Sequence, residues 1–157
     1  MKNENKIIRL VWALMCASSS IDRTTNAVSI FNALEEVTVG INGPAPADVF
    51  KKGAVIPIPL EFIGLFVRVD DYTKDATCEA TMDVIDPFGI SMGAQNFPLK
   101  LEKNKKRTRV SVKFGGIKVT SSGEYNFKLS IKNKEGKFDE VASAPLEIKL
   151  TNQPVLK

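Results

Sequence analysis

The residues of this chain that can do chemistry are mostly carboxylates. Asp70, Asp71 and Asp75 fall in one polar stretch, RVDDYTKD. Their oxygens suit a calcium ion, but the spacing departs from an EF-hand loop, and a solvated acidic turn has the same composition. Glu35-Glu36 and Asp83/Asp86 are further pairs. An acid–base mechanism needs such a pair at a defined separation, and nothing local sets that separation here. The chain has no histidine. That removes the commonest general base and zinc ligand, and with them Ser-His-Asp and Cys-His nucleophiles. Cys16 and Cys78 lie far apart in apolar runs, so buried free thiols are expected rather than a disulfide framework or a zinc site. Gly115-Gly116 lacks the spacing and the Lys-Ser/Thr of a phosphate loop. The expectation is a protein that is not an enzyme, with no catalytic residues, no metal and no cofactor.

The cations are more organised than the carboxylates. Residues 1–97 hold eight Lys/Arg against twelve Asp/Glu, whereas residues 98–157 hold fourteen against six. The whole chain carries +4 with a pI near 9.1. The densest stretch is KLEKNKKRTRVSVK, residues 100–113. In a strand over RTRVSVKF, Arg107, Arg109 and Lys113 point outward, next to Lys103, Lys105 and Lys106 in the preceding turn. Lys128 and Lys132 point outward from a later strand. If the two strands are neighbours, these eight residues form one basic sheet face that attracts a polyanion. The face lacks outward aromatics, so it offers no stacking platform for single-stranded bases. A solvated, solubilising surface has the same charge.

Which elements position these groups follows from periodicity. The composition, 43% hydrophobic and 25% charged over 157 residues, suits one domain, 1–157, with a buried core. Ile8, Leu10, Trp12, Leu14 and Cys16 alternate along a first strand that is apolar on both faces. The start also resembles a secretory leader, with Lys2, Lys6 and Arg9 before an apolar stretch and then Ala-Ser-Ser-Ser. Only about eight apolar residues follow Arg9, at the short end of a leader core. An uncleaved strand, ended by the polar turn Ser-Ile-Asp-Arg-Thr-Thr-Asn, is therefore the expectation. A cytoplasmic location follows from it.

A second strand is expected over AVSIFNALEEVTV, residues 27–39, with a helix around FNALEEV as the rival reading. Residues 40–53 read as a loop because of Pro44 and Pro46. A long strand over residues 56–69 carries an expected bulge at Gly64, where the alternation shifts. Residues 76–86 alternate well, with Cys78, Ala80, Met82 and Val84 inward, and end in the turn Asp86-Pro87-Phe88-Gly89. Val110, Val112 and Phe114 point inward in the next strand, then Tyr125, Phe127, Leu129 and Ile131 in another. Leu146, Ile148 and Leu150 mark a last strand over residues 144–150. Seven or eight strands separated by turns describe an all-β, antiparallel β-sandwich, immunoglobulin-like or Greek-key. No apolar stretch approaches the roughly 20 residues of a spanning helix.

Two stretches carry a resemblance. ALMCASSSIDRTTNAVSIFNALEEV resembles the opening of a family of small bacterial proteins of unknown function. SSGEYNFKLSIKNKEGK and APLEIKL resemble that family's closing strands, and also the tyrosine-bearing strand of immunoglobulin-like sandwiches. The resemblance covers about a third of the chain. It implies a bacterial, intracellular β-sandwich and transfers no site residue. The expected function is protein–protein contact, as an adaptor or assembly subunit, with a protein partner or self-association and no membrane. The alternative is nucleic-acid or other polyanion binding in a phage-defence or counter-defence setting. A carbohydrate-binding sandwich ranks below both, because Trp12 and most phenylalanines read as inward-facing.

Overall fold

A computed structural model of the protein describes residues 7–42 and 52–153. The centre of the loop expected over residues 40–53 lies outside the described residues, as do Lys2 and Lys6. Short runs of alternating apolar residues between turn formers make strands, and eleven occur among the described residues, without a helix. One sheet is ordered β2-β1-β5-β8: β1 Ile8–Ile21, β2 Val28–Ala33, β5 Leu60–Arg68 and β8 Arg107–Phe114. The second is ordered β3-β11-β10-β6-β7: β3 Glu36–Asn42, β6 Ala76–Ile85, β7 Ser91–Leu101, β10 Gly123–Lys132 and β11 Phe138–Gln153. A small pair, β4 Ala54–Ile56 and β9 Ile117–Val119, completes the set. The architecture is an immunoglobulin-like β-sandwich, as expected. Pairing is antiparallel except for β3 beside β11, which is parallel.

The core fills the space between the two large sheets. Phe62 and Phe66 from one sheet and Met82, Phe127, Leu129, Ile131 and Leu146 from the other are buried in one cluster. The alternation expected in β6, β8 and β10 is observed. Three other expectations change. The second strand divides into β2 and β3, one in each sheet. Asn32 takes a left-handed φ of 50°, and the Leu34 N–H donates to the Met15 carbonyl (2.8 Å) as the chain crosses over. The long strand divides at Pro57–Pro59, where ring nitrogens cannot donate to a ladder. The expected bulge lies in β1, between Leu10 and Trp12, and not at Gly64. Gly64 keeps regular register with β8. It is glycine because a Cβ there would sit 2.8 Å from the Phe66 ring.

The β1 bulge has a large consequence. Ile8, Leu10, Ala13 and Met15 belong to the core side, while Trp12, Leu14 and Cys16 turn to the outer face. They do not share the one face that uninterrupted alternation implies.

Tyr125 closes the bottom of the fold. Its hydroxyl donates to the Ser121 carbonyl (2.9 Å) and accepts from the N–H groups of Thr120 (3.0 Å) and Ser121 (3.2 Å). This is the tyrosine corner of immunoglobulin-like sandwiches. Tyr125→Phe leaves two part-buried N–H groups and one carbonyl to find other partners. Stability is expected to fall by about 1–3 kcal/mol. A urea titration with a lowered midpoint and an unchanged slope checks this.

Candidate functional site

Of the carboxylates singled out for chemistry, Asp70, Asp71, Asp75, Glu36, Asp83 and Asp86 make bonds within the fold. Asp70 receives the Arg68 guanidinium side-on, from Nε at 2.8 Å and Nη2 at 2.6 Å, and that hydrogen-bonded ion pair holds its carboxyl below the ordinary range. Asp71 accepts from the Thr73 N–H (3.4 Å) and Asp75 from the Lys103 N–H (2.7 Å). Glu36 pairs with Lys149 at 2.6 Å across β3 and β11. Asp83 accepts from the Ser91 hydroxyl (2.6 Å). Asp86, 5% exposed, accepts from the N–H groups of Phe88 and Ile90 and from the Thr120 hydroxyl. Each of these is engaged within the fold, Asp75 and Asp86 in part by residues distant in the chain. Among the described residues, no three His, Cys, Asp or Glu side chains are grouped to hold a metal.

Glu61 escaped the sequence reading because it stands inside the apolar run LEFIGLF. It is 2% exposed. A lone charge in such a run is the available signal, since a buried carboxylate must have partners. The Ser19 N–H (2.8 Å), the Ser19 hydroxyl (2.6 Å) and the Ser111 hydroxyl (2.5 Å) all donate to it. Burial pushes its pKa up. These bonds, aided by the Lys113 charge, outweigh burial and hold the carboxyl below the usual range.

Those bonds also show where the β1–β2 hairpin goes. Cys16 faces Glu61 across the β1–β5 ladder, yet Ser19, further along β1, bonds back to the same carboxylate. At the hairpin turn, the Asn26 side chain accepts from Arg109 at 2.9 Å, and its carbonyl accepts from the same guanidinium. Arg109 lies opposite Leu65, four residues along β5 from Glu61. The ribbon therefore folds back over the outer face of the β1-β5-β8 sheet. Beneath it, Cys16 and Ile63 are at most 1% exposed although neither belongs to the central core. Asp22 shapes the turn by accepting from the N–H groups of Thr24 and Thr25, which hold its carboxyl below the ordinary range. Both cysteines are free, in different sheets, and burial raises both thiol pKa values, with the Glu61 charge adding to the effect at Cys16.

The cations do not form a single face. Lys103, Lys105 and Lys106 lie in the β7–β8 turn, and Arg107, Arg109 and Lys113 on the outer face of β8. Lys128 and Lys132 lie on β10, in the other sheet. There Lys128 pairs with Glu140 (3.3 Å). Lys132 pairs with Glu79 (2.9 Å) and lies 5.9 Å from the centre of the Phe138 ring. The condition that β8 and β10 be neighbours fails because the chain after β8 crosses through β9 to the opposite sheet. What remains is a cleft of about 450 Å³ whose lining includes Lys100, Lys105, Arg107, Arg109 and Leu65. Glu102 also lines it and pairs with Lys105.

The long side of the sandwich between β7 and β8 is open. Each is the last strand of its sheet among the described residues. Near the Phe114 end of β8, a crevice of about 210 Å³ enters between the sheets. Met82, Val84, Met92, Phe114 and Ile117 supply its apolar lining. Just beyond it stand Phe88 and Ile90, 72% and 60% exposed, on the turn that Asp86 clamps. The open side thus runs from an apolar end to a basic one.

No protein-family model matches the chain, and no curated protein matches it by sequence. Among solved structures it is similar to the C-terminal domain of Wzt, at 10% identity and TM-score 0.48, over 98% of this chain and 81% of that one. It is also similar to a Niemann-Pick type C2 protein from Japanese carpenter ant, at 12% identity and TM-score 0.45, over 95% and 98% of the two chains. A third is the alkylpurine DNA glycosylase AlkC of Pseudomonas fluorescens bound to DNA containing an abasic site analog. There the identity is 10% and the TM-score 0.42, over 70% of this chain and only 27% of the glycosylase chain. Similarity at this level concerns the fold, and no activity passes from these proteins to this one. No helix among the described residues is long and apolar enough to cross a membrane.

Proposed function

We propose that this chain is a non-catalytic, cytoplasmic bacterial module, an adaptor or assembly subunit, that holds a protein partner along the open side of its sandwich. One observation carries the reading. Two sheet edges that are unpaired among the described residues lie beside an apolar crevice, and next to it a clamped turn presents Phe88 and Ile90 to solvent. Exposed apolar side chains on a rigid support are what an interface uses as anchors, because little entropy is lost when they are covered. The test is a stoichiometric complex with a partner from the native cell. Phe88→Ser/Ile90→Ser should lose it by tenfold or more in Kd while the thermal midpoint holds. An unaltered Kd overturns the reading. So does a turnover activity of the purified protein that disappears when one acidic residue is changed.

The basic cleft favours a second reading, in which the partner is a nucleic acid or another polyanion. Lys100, Lys105, Arg107 and Arg109 are its cations, with Lys103 and Lys106 in the adjoining turn and Lys113 at the far end of β8. Lys128 and Lys132, on the opposite sheet, take no part. Binding should then weaken linearly in log–log terms with salt. A retardation assay without a shifted band at low salt removes this reading.

A further inference from the structure

We infer that the partner enters as an extended segment that adds a strand to the free edge of β8, and that its side chains alternate acidic and apolar. The inference rests on the docking reading above and specifies the chemistry of what docks.

Of the four end strands of the two large sheets among the described residues, β3 lies at the far side of its sheet from the crevice, and the other three are unequal. β7 contains Pro98, which lacks an N–H, and Gly93 at a φ of 132°, and its ladder to β6 is irregular near Ser91. β2 is bent over the outer face of its sheet. β8 has no proline, no glycine and no bulge, and it pairs with β5 in unbroken register from Leu60↔Phe114 to Val67↔Arg107. Alternate residues of an antiparallel strand direct N–H and C=O away from the paired neighbour. β8 therefore presents a regular row of backbone donors and acceptors about 24 Å long.

The side chains select what pairs with that row. Arg107, Arg109, Ser111 and Lys113 face outward, and Thr108, Val110, Val112 and Phe114 face the core. A strand laid beside β8 places each of its residues directly opposite one of these, with Cβ atoms about 5 Å apart. Opposite charges are favoured in such pairs and like charges are not. In registers that overlap most of the strand, an antiparallel second copy of β8 sets Arg107 or Arg109 opposite Lys113, a like-charge pair that disfavours self-pairing through this edge. An acidic outward row is complementary. Arg109 is held by Asn26, whereas Arg107 has no ion pair among the described residues. At the Phe114 end, the crevice of about 210 Å³ accepts one inward-pointing apolar side chain. At the Arg107 end, Lys100 and Lys105 extend the positive field. The segment thus carries its acids toward Arg107 and its largest apolar residue toward Phe114. Main-chain bonds supply affinity in strand addition and the alternate side chains supply choice.

The probe is an end-blocked synthetic peptide in which Glu alternates with Val and ends on Leu, added to the intact protein. Amide hydrogen exchange of β8 is followed residue by residue. Protection at alternate β8 amides is expected to rise at least tenfold. N-methylation of the peptide on every second residue should abolish this, because it removes the donors of one edge without touching charge. Arg107→Glu should weaken the Glu peptide tenfold or more, and a Lys at the facing peptide position should restore binding. Equal binding of methylated and unmethylated peptides overturns strand addition and leaves simple attraction of an acidic chain. Protection that appears without peptide and grows with protein concentration also overturns it, in favour of self-association. If the peptide leaves β8 unprotected while the native partner still protects the Phe88–Ile90 turn, this inference fails and the docking reading stands. A partner footprint confined to β3, β11 and β10, away from the β7–β8 side, sinks both.

Discussion

Replacing Arg68 by alanine lowers stability by about 3–5 kcal/mol, because three carbonyls lose their buried charged donor and the part-buried ion pair with Asp70 is broken. Arg68 is 3% exposed and sits at the end of the core-facing row Phe62, Gly64, Phe66. Its Nε and Nη2 donate to the two oxygens of Asp70. Its Nη1 donates to the carbonyls of Leu101 (3.1 Å) and Glu102 (2.9 Å), and Nη2 also to that of Lys74 (3.1 Å). One side chain therefore ties the β5–β6 loop to the end of β7. Alanine leaves three carbonyls without their charged donor, while Asp70, whose side chain is 32% exposed, turns to water. Lysine does not rescue it, because a single ammonium cannot span a planar fork of five contacts. Asp70→Ala should cost less, since the guanidinium keeps the three carbonyls. Against a typical total of about 5–15 kcal/mol, the Arg68→Ala loss leaves a marginal fold. Urea denaturation of the three variants checks the ranking. A loss below about 1 kcal/mol for Arg68→Ala, the level of an exposed ion pair, contradicts it.

Glu61→Ala is the second large effect, and it is local before it is global. The substitution strips the acceptor from the Ser19 N–H and from the hydroxyls of Ser19 and Ser111. Hydrogen bonds to a charged group are worth about 1.5–3 kcal/mol each, and the two hydroxyls can turn to other acceptors, so a net loss of about 2–3 kcal/mol is expected. Cys16 reports where that loss falls. It is fully buried beneath the ribbon, and burial and the Glu61 charge both raise its pKa, so its thiol is slow to react. If the ribbon opens 2–3 kcal/mol more easily, thiol labelling of Cys16 accelerates by about 30- to 150-fold. Glu61→Gln should do less, because its carbonyl oxygen still accepts from the Ser19 N–H while its amide donates to the hydroxyls. An unchanged labelling rate in Glu61→Ala means that the ribbon is held by something else.

Acid tests the same group with a definite sign. The folded-state pKa of Glu61 is depressed, so its stabilisation is complete above the unfolded value of about 4.3 and is lost as pH falls through the folded value. Cys16 labelling corrected for thiolate fraction should therefore rise on acidification in the wild type and stay level in Glu61→Gln.

How much was legible in advance divides along one physical line. The alternation of Ala80, Met82 and Val84, and of Tyr125, Phe127, Leu129 and Ile131, is a local property of a strand with one buried face. The sequence therefore determined which side of each such strand is core. It also determined the Asp86–Gly89 turn, since Asp, Pro and Gly at those positions impose the geometry themselves. From these followed the β-sandwich.

Three other matters depended on groups far apart in the chain. The bulge between Leu10 and Trp12 sends Cys16 outward, and only the register against β5 reveals it. β8 and β10 read alike, with outward lysines and arginines, yet they lie in different sheets, so Lys128 and Lys132 part from Arg107 and Arg109. Glu61 meets Ser19 and Ser111 across 42 and 50 residues of sequence, and only the fold-back of the β1–β2 ribbon joins them. A period of two tells a residue which face it is on. It carries no information about which strand lies alongside, which edge is left open, or what folds over the outer surface, and for this protein those three decide where a partner can bind.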